Sequence, residues 1–335
     1  MEKKILLAHG SGGKASMELI EKTLMPYIKN EFSEQMDDSA MVTAGEENIL
    51  FTTDSYVVDP PFFKGGDIGM LAVNGTVNDL SVCGGNPLYI SLALILEEGF
   101  PLNDLKTIMQ SVSKASVEAG VKVVTGDTKV VGHGHADRIF INTSGIALPD
   151  RRAVLSVKRI KTGDKIILSG TMGDHGIAVM LEREGLEIKS DVSSDTVPLN
   201  RMVSEILEEG RAIRFMRDAT RGGLATTLNE ITLMTGLGIS VYEDMVPVSP
   251  GVAAASEILG LDPFYIANEG KIVAVVDPSS ADKVLSTMKQ NRYGRDSAII
   301  GEVSDEVPGR VVLKTSIGGS RLMDMLTGEQ LPRIC

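Results

Sequence analysis

The sequence predicts a mixed α/β and α+β fold built as two domains. Three observations carry this. Segments of helical and strand period alternate along the whole chain. The composition changes sharply between Pro149 and Lys165. Acidic residues stand beside glycines where apolar strands are expected to end. The length of 335 residues also fits two domains at roughly 100–200 residues each, and 43% hydrophobic residues suffice for two cores.

In the first half, Met17, Ile20, Leu24 and Ile28 share one helical face. Asn48 to Thr53 reads as a strand ending in Asp54, and 65–82 as a helix despite its glycines. Leu88 to Leu96 is a buried strand. Leu102, Leu105, Ile108, Met109, Val112 and Ala115 form an amphipathic stripe. Val121 to Val124 is a short strand running into Gly126-Asp127-Thr128-Lys129, and Ile139 to Leu148 closes the half.

Between Pro149 and Lys165 the chain turns basic, with Arg151, Arg152, Lys158, Arg159, Lys161 and Lys165. A charge run of this kind reads as a solvated connection. The division expected is 1–155, 156–326 and a tail, 327–335. In the second half, strands are expected at 165–169, 237–242, 270–276, 297–303 and 310–314. Helices are expected at 176–184, 199–208, 222–235 and 320–326. Gly328 and Pro332 keep the tail irregular. Its nine residues reach about 30 Å when extended at about 3.3 Å per residue.

The net charge of −12 is the wrong sign for a nucleic-acid binder, which presents a basic face. It leaves nucleotide chemistry open, because a cation bridges carboxylates and phosphates. Two cysteines, Cys83 and Cys335, make no disulfide framework and fit a reducing cytoplasm. The N-terminal apolar run is too short for a signal peptide. No stretch of about 18 apolar residues suggests a membrane span.

His9-Gly10-Ser11-Gly12-Gly13-Lys14-Ala15 resembles a P-loop without being one, since Ala8 and Ala15 stand where glycine and Ser or Thr are needed. It reads either as a loop folding over a ligand or as a mobile N-terminal loop. Asp37, Asp38, Asp54, Asp79, Asp127 and Asp218 sit in glycine-rich or strand-end settings. Singly, each suits a cap or a turn. Converging, they suit Mg²⁺ and phosphate. Asn74 and Asn78, four apart beside Asp79 in an apolar helix, need partners when buried. A helix contact or a metal–nucleotide site would supply them. His133 and His135, without a nearby cysteine, make no zinc site, and His9 and His175 stand alone. Cys83 reads as a buried thiol.

Cys335 closes the sequence. On a flexible tail its thiol is expected to be exposed. An adjacent α-carboxylate disfavours its thiolate, so it reads as a carrier modified elsewhere rather than as a resident nucleophile. A terminal residue without a role and an intermolecular disulfide are the plain alternatives.

Together these motifs resemble the AIR synthetase (PurM-like) superfamily and, within it, the HypE family of hydrogenase maturation proteins. The marks are His9 to Gly13, Asp37 to Ala40, Thr52 to Ser55, Val73 to Pro87, Gly126 to Val131, Gly173 to Gly176, Arg217 to Leu224, Ala267 to Gly270 and the terminal Pro332-Arg333-Ile334-Cys335. The resemblance spans essentially the whole chain, and the last motif narrows it to HypE. It implies an N-terminal α+β domain that forms a homodimer and a C-terminal α/β domain. It implies ATP and Mg²⁺, a HypF partner that carbamoylates Cys335, and ATP-dependent dehydration of that group to a thiocyanate. A HypC–HypD complex would take the cyanide towards the iron of a NiFe hydrogenase. It assigns the metal to Asp38, Asp79 and Asp218. Asp54, Asp127, Asp37, Asn74, Gly12 and Gly13 take the nucleotide. Glu269, Lys129 and, in reserve, His9 are the candidate bases. A small-molecule synthetase or kinase of the superfamily, such as selenophosphate synthetase or thiamine-phosphate kinase, is a second reading. A non-catalytic thiol carrier is a third.

Overall fold

The computed structural model describes residues 4–184, 191–326, 331 and 333–335. Residues 327–330 and Pro332 of the expected tail lie outside the described residues. The N-terminal apolar stripe does form helix, in pieces: α1 (Gly13–Leu19), a π-helical stretch (Ile20–Leu24) and α2 (Met25–Ile28). Met17 and Ile20 face a cavity, while Leu24 and Ile28 stay exposed.

Strands β1 (Ala40–Ala44) and β2 (Glu47–Tyr56) form a hairpin. Asp54 therefore lies inside β2, two residues short of its end, and does not terminate it. The short pair β3 (Phe62–Phe63) and β4 (Gly66–Asp67) leads into α3 (Ile68–Val82). Asp67 caps this helix, its carboxylate accepting from the amides of Gly69 and Met70. All of α3 except Met70 and Asp79 is buried. A helix buried on every face is mostly apolar, its buried Asn74, Thr76, Asn78 and Ser81 being the exceptions, and its glycines serve close approach: a Cβ on Gly75 would overlap the Tyr56 hydroxyl.

Next come β5 (Gly85–Glu97), α4 (Leu102–Ala119), β6 (Lys122–Val131) and β7 (Ile139–Pro149). The five strands other than the short pair line up as β1-β2-β7-β5-β6. Only β5 and β6 run parallel, joined by the α4 crossover as parallel strands require. The edge strand β6 continues through Gly126 to Lys129, so Asp127 is also mid-strand.

The second sheet contains β8 (Lys165–Leu168), β9 (Ile213–Asp218), β10 (Gly238–Tyr242), β11 (Ile272–Val276), β12 (Ala298–Ser304), β13 (Val311–Lys314) and β14 (Ser320–Leu322). Their order is β14-β13-β10-β12-β8-β11-β9. All pairs but β10–β13 are antiparallel. Helices α5 (Asp174–Arg183), α6 (Asn200–Ile206), α7 (Gly223–Thr235), α8 (Pro250–Leu259) and α9 (Ala281–Gln290) cover it. The helix expected at 320–326 is strand β14 instead. Gly318 at φ 86° turns the chain back, and the open edge of β13 offers a backbone ladder that a helix of under two turns cannot match.

Residues 333–335 lie along 57–59. The Val57 amide donates to the Cys335 carbonyl at 2.9 Å, and the Asp59 amide to the Arg333 carbonyl at 3.2 Å. Ile334 is 3% exposed and belongs to the apolar cluster that also holds Val58, Phe63, Val179 and Ala267. Burying that side chain stabilises docking by about 1.5–3 kcal/mol. The expectation of an exposed terminal thiol does not hold in this structure, because its apolar neighbour anchors it.

Candidate active site

A cavity of about 490 Å³ opens between the two sheets. Four elements deliver its acids. In β2, period-two alternation puts Thr52, Asp54 and Tyr56 on the face that meets α3. In α3, Gly75 and Asp79 are one turn apart and both line the cavity. Asp38 precedes β1, and Asp218 is the last residue of β9.

Their electrostatics reinforce one another. Burial, followed by the charges of Asp218, Asp38 and Asp54, holds the Asp79 carboxyl well above the ordinary carboxylate range. Thr52 opposes this, donating to Asp79 Oδ2 at 3.1 Å. Asp218 is likewise held well up, first by burial and then by Asp38. Asp38 and Asp54 are raised by burial, offset in part by Arg217 and Arg221 respectively. Asp37, more exposed, is raised by burial and by Asp38. Arg217 lies 3.3 Å from Asp38 and 3.2 Å from Glu230.

The glycine loop closes one side of the cavity with His9, Gly12 and Gly13. Gly12 has φ 76° and Gly13 φ 69°, and a Cβ on Gly13 would come within 2.5 Å of the Leu326 carbonyl. Glycine is needed here for both conformation and space. His9 Nδ1 accepts from the Leu6 amide at 2.8 Å. Arg221 ties the loop down, donating to the Gly10 carbonyl at 2.8 Å.

Glu269 and Cys335 face the same cavity. Glu269 is 4% exposed, and its Oε1 has no hydrogen-bond partner. Burial, with Asp218 and Asp54 nearby, holds its carboxyl well up. Its backbone is fixed: the Glu269 amide donates to Asp195 Oδ1 at 2.9 Å, and Asp195 pairs with Lys271 at 3.0 Å. Burial pushes the Cys335 thiol up to about 12, with Arg221 opposing and Glu269, Asp54 and Asp218 adding to the rise. The thiol is neutral at physiological pH, in line with a carrier.

Three expected site residues lie elsewhere. Asp127 and Lys129 pair with each other on the exposed edge strand β6, outside this cavity. Asn74 points to the neighbouring face of α3, donating to Thr196 at 3.3 Å. Asn78 beside it donates to the Val197 and Glu269 carbonyls and accepts from the Leu199 amide. Of the two readings left open for these asparagines, the packing contact is the one observed for Asn78. Sequence reasoning gave no role to Arg217 and Arg221, although Arg217-Asp218-Ala219-Thr220-Arg221 brackets an acid with two cations. It gave no role either to His175, which it met only as a lone histidine within the Gly173–Gly176 motif.

The fold and site can be set against known proteins. The AIR synthase related protein family matches through its N-terminal domain at residues 36–148 and its C-terminal domain at 161–314. The chain is 47% identical over 330 residues to the carbamoyl dehydratase HypE of Bradyrhizobium diazoefficiens, covering 98% of this chain and 95% of that one. Among solved structures it resembles HypE from a HypE–HypF complex (TM-score 0.88, 48% identity, 92% of this chain and 99% of that one). It also resembles a hydrogenase maturation protein HypE in complex with ATP (TM-score 0.83, 44% identity, 99% and 100%).

Proposed function

The chain belongs to the HypE carbamoyl dehydratase family, and from that premise we propose that it dehydrates an S-carbamoyl group on its own Cys335 to a thiocyanate, using ATP. One observation carries the reading: Cys335, the orphaned carboxyl of Glu269 and the convergent acids share a single cavity.

The amide oxygen of the carbamoyl group attacks the γ-phosphorus of ATP. An O–P bond forms, the bond to the β-phosphate oxygen breaks, and ADP departs. Two protons leave the amide nitrogen as the C≡N bond forms, one to Glu269 and one to the departing phosphate. The C–O bond breaks and phosphate leaves. Glu269 is the base: one of its oxygens has no hydrogen-bond partner, and burial makes its carboxylate more basic than one in solvent. Arg221 faces Cys335 and is placed to meet charge on the transferring group. His9 lines the cavity and remains the reserve base.

Asp54 and Asp37 with the glycine loop are the nucleotide contacts in this reading. The acid set fits Mg²⁺: only oxygen donors are offered, all raised by burial, and Asp79 and Asp218 also by neighbouring carboxylates. Among the described residues, no three potential ligands form a metal-holding group by themselves. Mg²⁺ takes one or two carboxylates and completes its shell with phosphate oxygens and water, so Asp38, Asp79 and Asp218 would hold it together with the nucleotide. Once bound, it offsets charge on the transferring phosphoryl group.

The partners follow the same reading. HypF supplies the carbamoyl group, and a HypC–HypD complex accepts the cyanide bound for the hydrogenase iron. A homodimer through the first sheet is favoured by the exposed Val123, Val124 and Val130 of β6. In that dimer Asp127 and Lys129 would serve the neighbouring protomer's cavity. The two sheets would be the cores of domains 1–155 and 156–326. Among the described residues no helix is long and apolar enough to cross a membrane, and two free cysteines suit the cytoplasm.

Incubation with HypF, carbamoyl phosphate and ATP, followed by the mass of the C-terminal peptide, tests the reaction. Carbamoylation followed by loss of one water is expected. Carbamoylation without that loss would leave a carrier only.

A further inference from the structure

His175 lies in the first turn of α5, outside the cavity, and is 0% exposed. Its Nε2 is 2.7 Å from the Ile334 carbonyl, and its Nδ1 is 2.8 Å from the Ser194 hydroxyl. A carbonyl only accepts, so Nε2 carries the proton and Nδ1 accepts from Ser194. Ser194 is set for this, because its oxygen already accepts from the Thr196 amide at 3.2 Å. The edge of Phe63 fixes the ring, with centroids 5.3 Å apart and planes at 88°. Burial keeps the imidazole neutral, which preserves this tautomer.

We propose that His175 is a positioning residue that latches the docked C-terminal segment by donating its Nε2–H to the Ile334 carbonyl, thereby setting where Cys335 stands in the cavity. Arg183, at the other end of α5, grips the same segment, donating to the Arg333 carbonyl at 2.9 Å and to the Asp59 carbonyl at 2.7 Å. Adjacent residues couple the latch to the proposed base: Ser194 orients His175, and Asp195 holds the Glu269 amide. The register of the tail and the position of Glu269 are thus set by one short stretch of chain. The latch rests on the tethered-substrate reading of Cys335.

The test is the alkylation rate of Cys335 by iodoacetamide in the full-length protein, read by mass of the C-terminal peptide. Cys83, half-buried and with its thiol pushed up by desolvation, reports global unfolding in the same sample. His175→Phe removes the donor and keeps the volume. It is expected to speed Cys335 alkylation about tenfold, as for one buried hydrogen bond lost, with Cys83 unchanged. His175→Gln retains a donor at the Nε2 position and is expected to stay within about threefold of the native rate. Equal rates for His175→Phe and the native protein, or equal rates for the two variants, would overturn the latch. If His175→Phe also exposes Cys83, Ser194→Ala decides. It frees the tautomer while keeping the ring, and a rise of about threefold is expected; no rise overturns the proposal. On carbamoylated protein, His175→Phe is further expected to lower single-turnover dehydration while the KM for ATP holds. Alkylation does not require dehydration, so failure of the functional reading and failure of the latch are told apart.

Discussion

Burial pushes the cavity carboxyls up, carboxylate repulsion adds to this at Asp79 and Asp218, and this sets how single substitutions behave. Asp79 titrates near pH 3.9 when unfolded and well above that in the fold. The stability tied to its neutral form is complete below the unfolded value and is lost as pH rises through the raised one. At pH 7.5 the ligand-free cavity therefore carries a cost. Asp79→Asn is expected to raise the ligand-free Tm by about 2 °C at pH 7.5, to give no gain at pH 4, and to abolish the Tm shift produced by Mg-ATP. Calorimetry at the two pH values checks all three. Glu269→Gln keeps the shape and removes the base. The dehydration rate should fall by about 10²–10⁴ while carbamoylation proceeds, as read by peptide mass. The Cys335 thiol, pushed up to about 12, obeys the same sign rule. Docking with a neutral thiol is intact below about pH 8.5 and weakens as pH rises towards 12. Its alkylation rate should still be climbing at pH 9.5, where a free thiol has levelled off; a plateau there would deny the docked state.

At the scale of elements, the fit of α3 against β2 makes the cavity. Gly75 leaves the gap into which the Tyr56 hydroxyl projects, and Asp79 one turn later reaches Thr52. Gly75→Ala is expected to destabilise the protein by about 1–3 kcal/mol through overpacking. Pairing it with Tyr56→Phe should recover part of that loss, because the two side chains share one contact. Urea unfolding of the four proteins measures the coupling. The sequence was most readable at this scale. The stripe from Leu102 to Ala115 and the apolar runs of the second half became helices and strands close to their expected places. Strand ends were less readable. Asp54 and Asp127 stand within β2 and β6, because backbone ladders to β7 and β5 carry those strands past the polar residues that suggested their ends.

At the scale of the whole molecule, the tail and the two sheets act together. Cluster packing joins Ile334 to residues from both halves, so docking the tail should tighten the whole fold. Removal of residues 331–335 is expected to lower Tm by about 2–4 °C and to leave Mg-ATP binding in place. Cys335→Ala should abolish carbamoylation with a far smaller change in Tm. Thermal unfolding with and without Mg-ATP separates these outcomes.

Cys335, the acid-rich glycine settings and the alternating elements were determined by the sequence itself, because residue type and period are local properties. The terminal motif also identified the family. Only the tertiary structure decided which acids meet. Asp38, Asp54, Asp79 and Asp218 come from four separate segments and converge where α3 crosses between the sheets, a matter of long-range packing that no spacing encodes. The same packing placed Asp127 and Lys129 on an outer edge, turned Asn78 into a structural tie, and buried His175 against the tail. It also drew the terminal thiol partly out of solvent and into the cavity, since one apolar residue beside it had a core to enter.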